Sequence, residues 1–267
     1  MLDFEFIRYE KRGRIAYLTL NRPEVLNAMH APAGAEMAQA WDDFAQDDES
    51  FVAIVTGAGE RAFSAGMDLR WRAAADARGE RFERARGLQR GFGGLTNPRH
   101  VQVWKPIIAA VNGYAVGGGL ELALACDMIV AAEHAQFGLP EPRRGIVAGA
   151  GGVHRLPRQM PLKVAMGYLL TGRLMDAQEA LRWGLVNEVV PLAEMMPAAE
   201  RWAREIMECA PISVRATKQA ALMGLDLPLA EAYNGAYAWW SRVNGSEDAR
   251  EGVRAFAEKR TPVWTGR

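Results

Sequence analysis

Residues 111–152 read VNGYAVGGGLELALACDMIVAAEHAQFGLPEPRRGIVAGAGG, and the rest of the chain is organised around them. The run opens as a buried turn, continues as a glycine-started helix and an apolar strand, and closes in a second glycine-rich loop. Gly117, Gly118 and Gly119 come immediately before the helical run 120–126. Consecutive glycines let backbone approach a ligand closely, and a helix N-terminus offers unpaired N–H groups with a partial positive charge. Glu121 falls in the first helical turn, and Glu141 lies between Pro140 and Pro142. A backbone anion pocket flanked by two carboxylates suits chemistry that stabilises an oxyanion while protons move. Taken singly, Glu121 also reads as a first-turn glutamate favoured by the helix dipole, and Glu141 as a turn residue.

Upstream, 4–9 and 15–20 form a β-hairpin pattern around Arg12-Gly13, ended by Asn21-Arg22-Pro23. Met37, Ala40, Trp41 and Phe44 recur at helical spacing within 33–46, and 51–56 reads as a strand. Residues 62–69, AFSAGMDL, read as a small-residue loop entering a helix capped by Asp68. A charged, glycine-containing stretch follows over 72–99, with a surface helix expected over 78–90. Strands are expected at 107–111 and 127–132, helices at 160–170 and 176–183, and a strand at 185–190. Beyond 192 the pattern is helical throughout: 193–209, 213–223, 229–243 and 246–258, with Ser246 as an N-cap. An α/β core over 1–191 and a helical C-terminal region over 192–267 are the expected organisation.

Composition sets limits on function. The 267 residues suffice for a substantial core, and 49% hydrophobic with 24% charged residues is ordinary for a globular protein. A formal net charge of zero gives no reason to expect nucleic acid or an anionic membrane as partner. The longest apolar region, near 107–120, is interrupted by Asn112 and four glycines and is too short for a bilayer span. Two cysteines, Cys126 and Cys209, make no disulfide framework, and a mixed-charge N-terminal stretch is not read as a signal peptide, so a cytoplasmic location is expected. His134 and His154 lack metal-ligand spacing, so no metal is expected; Arg143 and Arg144 read as surface or intersubunit charges.

The run 112–141, together with AFSAGMDL at 62–69 and NRPEVLNA at 21–28, resembles the enoyl-CoA hydratase/isomerase (crotonase) superfamily. The likeness extends to AFAEKRTPVWTGR at 255–267 and so covers nearly the whole chain. It implies a crotonase-type spiral of ββα units with a helical C-terminal trimerisation region. It implies that the N–H groups of Met67 and Gly118 form an oxyanion hole. It also implies that Glu121 activates water and Glu141 delivers a proton, in a syn addition across the 2,3-double bond of an enoyl-CoA. Glu141 is the carboxyl expected to hold the proton at rest. Ala65, Asp68 and Arg70 match coenzyme A-binding positions, as do Phe256 and Lys259 from a neighbouring subunit. Arg70 also reads as a solvated arginine and Lys259 as a last-turn helix charge. The implied partners are an acyl-CoA and further copies of the chain, as a trimer or dimer of trimers. No separate cofactor is implied, since coenzyme A belongs to the substrate. SAGMDL, GFGGLT at 91–96 and the closing run resemble the carnitinyl-CoA dehydratase-like branch, with Trp71 and Phe92 as candidates for an aromatic cage around a trimethylammonium group. Enoyl-CoA isomerase, thioester hydrolase or lyase chemistry, and a non-catalytic CoA- or RNA-binding relative, are the competing readings.

Overall fold

The computed structural model describes residues 3–79, 92–97 and 103–267, and of Phe92 the backbone alone. Its centre is a six-stranded sheet built from β1 (Ile7–Arg12), β2 (Ile15–Leu20), β3 (Val52–Gly57), β5 (Ile107–Val111), β7 (Met128–Ala132) and β10 (Glu188–Val190), in that spatial order. The β1–β2 hairpin is antiparallel and every other pairing is parallel. The inner strands read as unbroken apolar runs because both faces of the sheet are covered. Ala53, Val55, Ile107, Ala109, Val111, Ile129 and Ala131 face one core together with helix α1 (Ala31–Gln46). Their alternate neighbours Val52, Ile54, Ile108, Ala110, Val130 and Ala132 pack under helix α7 (Leu192–Met207), against Met195, Ala198, Ala199 and Ala203. The period of two along each strand thus divides one sheet between two cores.

A second sheet, in the order β4 (Ala62–Ser64), β6 (Tyr114–Val116), β8 (Gln136–Gly138) and β9 (Met175–Asp176), was not expected from the sequence. Segments 62–64 and 114–116 read as loop and turn because three residues are too few for alternation to show. The chain winds as a spiral. β3 leads to β4 and helix α2 (Leu69–Ala77); β5 leads to β6 and helix α3 (Gly118–Ala125); β7 leads to β8 and helix α4 (Gly152–Gln159). Each circuit lays one strand in each sheet. Because β4, β6 and β8 pair in parallel, the loops leaving their C-terminal ends lie side by side.

Helix α4 also departs from expectation: Gly152 at its start and Pro157 inside it hide a helical pattern. The helix expected over 160–170 is α5 (Leu162–Thr171), and that over 176–183 is α6 (Ala177–Arg182). The strand expected at 185–190 is only Glu188–Val190. Past α8 (Pro211–Gly224), the helix expected over 229–243 is two short ones, α9 (Leu229–Tyr233) and α10 (Trp240–Val243). Between them Asn234 caps α9, and the Tyr237 hydroxyl donates to Ala232 O at 2.7 Å, folding the chain back. Helix α11 (Glu247–Glu258) begins as expected on Ser246, whose hydroxyl accepts from Ala249 N. The division at 191/192 marks a change of composition and not of packing, since α7 closes the outer face of the large sheet. Most of the surface helix expected over 78–90 lies outside the described residues.

The tightest join between circuits is at Gly119, where a Cβ would stand 2.1 Å from the carbonyl oxygen of Ser64. Backbone on both sides leaves no side chain to yield. Gly119→Ala is therefore expected to lower unfolding stability by ~2–4 kcal/mol in chemical denaturation, with the β4–α3 contact opened.

Candidate active site

Three loops meet at the C-terminal ends of β4, β6 and β8. The first, after β4, is fixed by buried side chains. Asn27 Nδ2 donates to Ala62 O at 2.7 Å, and Ser64 Oγ donates to Asn27 O at 2.8 Å while accepting from Gly66 N. Met29 N donates to Gly66 O and Asp68 N donates to Met29 O. That bridge turns the intervening Met67 N–H away from Met29. Gly66 has φ +83°, and a Cβ there would meet Val116 O at 2.6 Å and Gly118 N at 2.7 Å. The 65–68 loop therefore sits directly on the start of α3. Neither Met67 N nor Gly118 N has an acceptor among the described residues. Two free N–H groups on touching loops, one at a helix N-terminus, are the kind of preorganised donors that hold a developing negative charge.

The carboxyls come from the other two loops. Glu121 is 1% exposed in the first turn of α3 and accepts from Gly152 N at 2.9 Å. Glu141 opens a short 3-10 turn, Glu141–Arg144, after β8. Its Oε1 lies 3.0 Å from where a Cβ on Gly117 would be, so it faces the N-cap of α3. Its Oε2 is buried without a protein partner among the described residues. Glu121 is raised to about 7: burial is the largest cause and the Glu141 charge adds to it, against the N–H groups of Gly152 and Ala150 and the charge of Arg155. Burial raises Glu141 as well. The larger rise is at Glu121, the deeper of the two. Both shifts favour the neutral form, so the two carboxyls are described jointly.

The remaining positions are less concentrated. Asp68 spends both oxygens on the fold: Oδ1 accepts from Trp71 N as the cap of α2, and Oδ2 accepts from Arg22 at 3.0 Å. Burial would raise its pKa, but these two partners outweigh that and hold it below the usual range. Ala65 donates its N–H to Leu26 O, which keeps its backbone in the same loop. Arg70 is exposed on α2, one residue past Leu69. The Trp71 ring stands edge-on to His30 at 6.0 Å, and His30 edge-on to Phe6 at 4.5 Å. Phe256, 87% exposed, and Lys259, the left-handed C-cap of α11, are not brought to the carboxyl pair by any contact among the described residues of this one chain. Asn27, Ser64, the Gly152 amide and Arg155 were missed in the sequence. Backbone donors leave no trace in residue type, and Asn27 reads there as an ordinary turn residue. Among the described residues no three His, Cys, Asp or Glu side chains cluster as a metal site.

Fold and site together define a ββα-spiral protein with a buried carboxyl pair at a helix N-terminus. The chain belongs to the enoyl-CoA hydratase/isomerase family, whose model matches residues 10–267. It is 46% identical to a carnitinyl-CoA dehydratase of Citrobacter koseri over 98% of this chain and 99% of the relative. It is 42% identical to the (E)-benzylidenesuccinyl-CoA hydratase of Thauera aromatica, over 97% of this chain and 99% of that protein. The solved structure of an enoyl-CoA hydratase from Mycobacterium tuberculosis superposes with a TM-score of 0.88 at 40% identity, covering 98% of this chain and 99% of the other.

A carboxyl whose pKa is higher folded than unfolded binds more protons in the native state, so its contribution to stability is lost as pH rises from the unfolded value through the folded one. For Glu121 that window runs from the ordinary 4.5 to about 7. Glu121→Gln, which cannot ionise, is expected to gain on wild type by up to roughly 3 kcal/mol between about pH 5 and about pH 8. Thermal unfolding of both proteins at the two pH values measures this.

Proposed function

We propose that this chain hydrates 2-enoyl-CoA thioesters, and dehydrates the corresponding 3-hydroxyacyl-CoA, through Glu121 and Glu141. The observation that carries the reading is the pair of buried carboxyls beside the two free N–H groups of Met67 and Gly118. The thioester oxygen takes up negative charge as water adds, and preorganised N–H donors favour that state by ~3 kcal/mol each. In this reading Glu121 draws a proton from water as its oxygen bonds to C3. Glu141 gives a proton to C2, both on one face of the double bond. A proton then passes from Glu121 back to Glu141, directly or through solvent, so both carboxyls regain their starting states in each cycle; in dehydration every step runs in reverse. Carboxyls and backbone donors handle all the charge, so the reaction calls for no cofactor beyond the coenzyme A of the substrate. Relatives named for water addition to or removal from CoA thioesters support the same reading.

The finer assignments follow from it. Ala65, Asp68 and Arg70 line the coenzyme A side in this proposal, with Asp68 acting through the loop it caps. The C-terminal helices leave Leu225, Leu229, Tyr233 and Phe256 largely exposed, which supports assembly into a trimer or dimer of trimers. Phe256 and Lys259 would then reach a neighbour's coenzyme A. Among the described residues no helix is long and apolar enough to cross a membrane, in keeping with a cytoplasmic enzyme. A carnitinyl-type acyl group is the branch we favour, from the 46% identity.

The test is the loss of enoyl-thioester absorbance from crotonyl-CoA and crotonobetainyl-CoA. Glu121→Gln and Glu141→Gln are each expected to lower kcat by ~10²–10⁴-fold. Conversion of 3-enoyl-CoA without hydration of either substrate would replace this reading with an isomerase.

A further inference from the structure

Arg155 has no part in the hydratase reading, yet it is half-buried within reach of the site. It lies on α4, one turn past the amide that binds Glu121. Its guanidinium Nη2 donates to Thr96 O at 3.1 Å and Nη1 donates to Ala150 O at 3.3 Å. One side chain thus joins the 92–97 segment to the 148–152 loop. Gly151 is the pivot of that loop: its φ is +107°, and a Cβ there would stand 2.1 Å from Arg155 Nη1. Ala150 links the two: its carbonyl accepts from Arg155, and its N–H favours the charged form of Glu121. The 92–97 segment is itself anchored, since Gly93 O accepts from Trp41 Nε1 of α1 at 2.7 Å and Gly93 packs against the Leu122 side chain of α3. A continuous path therefore runs from α1 through 92–97, Arg155 and 148–152 to the Glu121 carboxylate.

Arg155 has no carboxylate within ion-pair distance among the described residues, and its charge reaches Glu121 through space. Among the described residues, the charged groups acting on Glu121 are Glu141, from the turn after β8, and Arg155, from α4. β4 and the 92–97 segment carry no titratable side chain, and Tyr114 of β6 is exposed. One negative and one positive neighbour thus bias the deeper carboxyl in opposite senses.

We propose that Arg155 is a positioning residue for the carboxyl pair: it clamps the 148–152 loop to the 92–97 segment and so fixes the backbone donors around Glu121. The proposal rests on the two-carboxyl hydratase reading for its kinetic consequences, but not for its structural one. Arg155→Met removes both the fork and the charge. Arg155→Lys keeps the charge but cannot bridge two carbonyls in one plane.

The experiment measures steady-state hydration against pH, and amide exchange of the 148–156 segment in the whole protein, for wild type and both variants. In Arg155→Met, kcat is expected to fall ~10–100-fold with KM within about threefold, as for a small misplacement of a reacting group. The acidic limb of kcat should move up by about one pH unit, because Glu121 loses the cationic charge of Arg155. Arg155→Lys should restore the limb toward wild type while kcat stays low. Exchange in 148–156 should quicken in both variants. Wild-type kcat, limb and exchange in Arg155→Met overturn the proposal, as does a loss of thermal stability with limb and exchange unchanged. If Arg155→Met does not fold, unchanged kcat and exchange in Arg155→Lys overturn it. If wild type itself hydrates no enoyl-CoA, the functional reading falls, and quickened or unchanged exchange in 148–156 still decides for or against the clamp.

Discussion

The site depends on one close approach of backbone to backbone. The strand end at Ser64 and the first turn of α3 are in contact through Gly66 and Gly119, with no side chain between them. Parallel pairing of β4 with β6 sets the direction of that approach, and the Met29–Met67 bridge sets its rotation. Free N–H groups are a consequence. A loop pressed against a helix N-terminus cannot turn every donor inward, and the first-turn donors of a helix have no acceptor within it. The spiral therefore creates an anion site wherever two circuits meet in this manner. Of the three helices that end these circuits, only α3 carries a carboxylate within its first turn.

Placing two carboxyls there works against stability. Burial raises both, and their mutual repulsion adds to the rise at Glu121. The protein limits the effect with backbone donors from Gly152 and Ala150, and among the described residues no cation pairs with either carboxyl. A lysine or arginine in direct contact would hold both glutamates ionised and leave neither able to give up a proton. The surplus comes from elsewhere: two apolar cores on opposite faces of one sheet, with Trp41, Phe44, Phe63 and Phe137 fully buried.

How much could be read in advance follows from this division. The large sheet, α1, α7 and α11 were legible because burial on both faces, helical spacing and a serine cap leave marks on residue type. The carboxyls and the glycines of α3 were legible because few other roles demand them together, and family resemblance supplied the pairing of Met67 with Gly118. The small sheet was not legible, since strands such as Ala62–Ser64 owe their form to neighbours distant in sequence. Helix α4 was hidden by Gly152 and Pro157. Gly152 is required there because its amide must reach Glu121 and a side chain would press on Leu139, Ala148 and the Glu121 methylene. At α4 the local helix signal is weak because the residues serve the site.

The two glutamates are also unequal in a way that bears on how the site works. Glu121 is enclosed: a backbone donor binds it, and it lies at the end of a path of contacts reaching back to α1. Glu141 sits on a proline-flanked turn with one oxygen against Gly117 and the other lacking any protein partner among the described residues. A buried carboxyl oxygen without a donor costs about 1–3 kcal/mol, more when charged, and such a cost persists where the partner is supplied from outside the chain. The enclosed carboxyl has little freedom and suits the fixing of a small nucleophile. The one with an open oxygen suits a proton exchanged with a ligand that comes and goes. Division of labour between the two follows from where each is held, before any difference in proton affinity is considered.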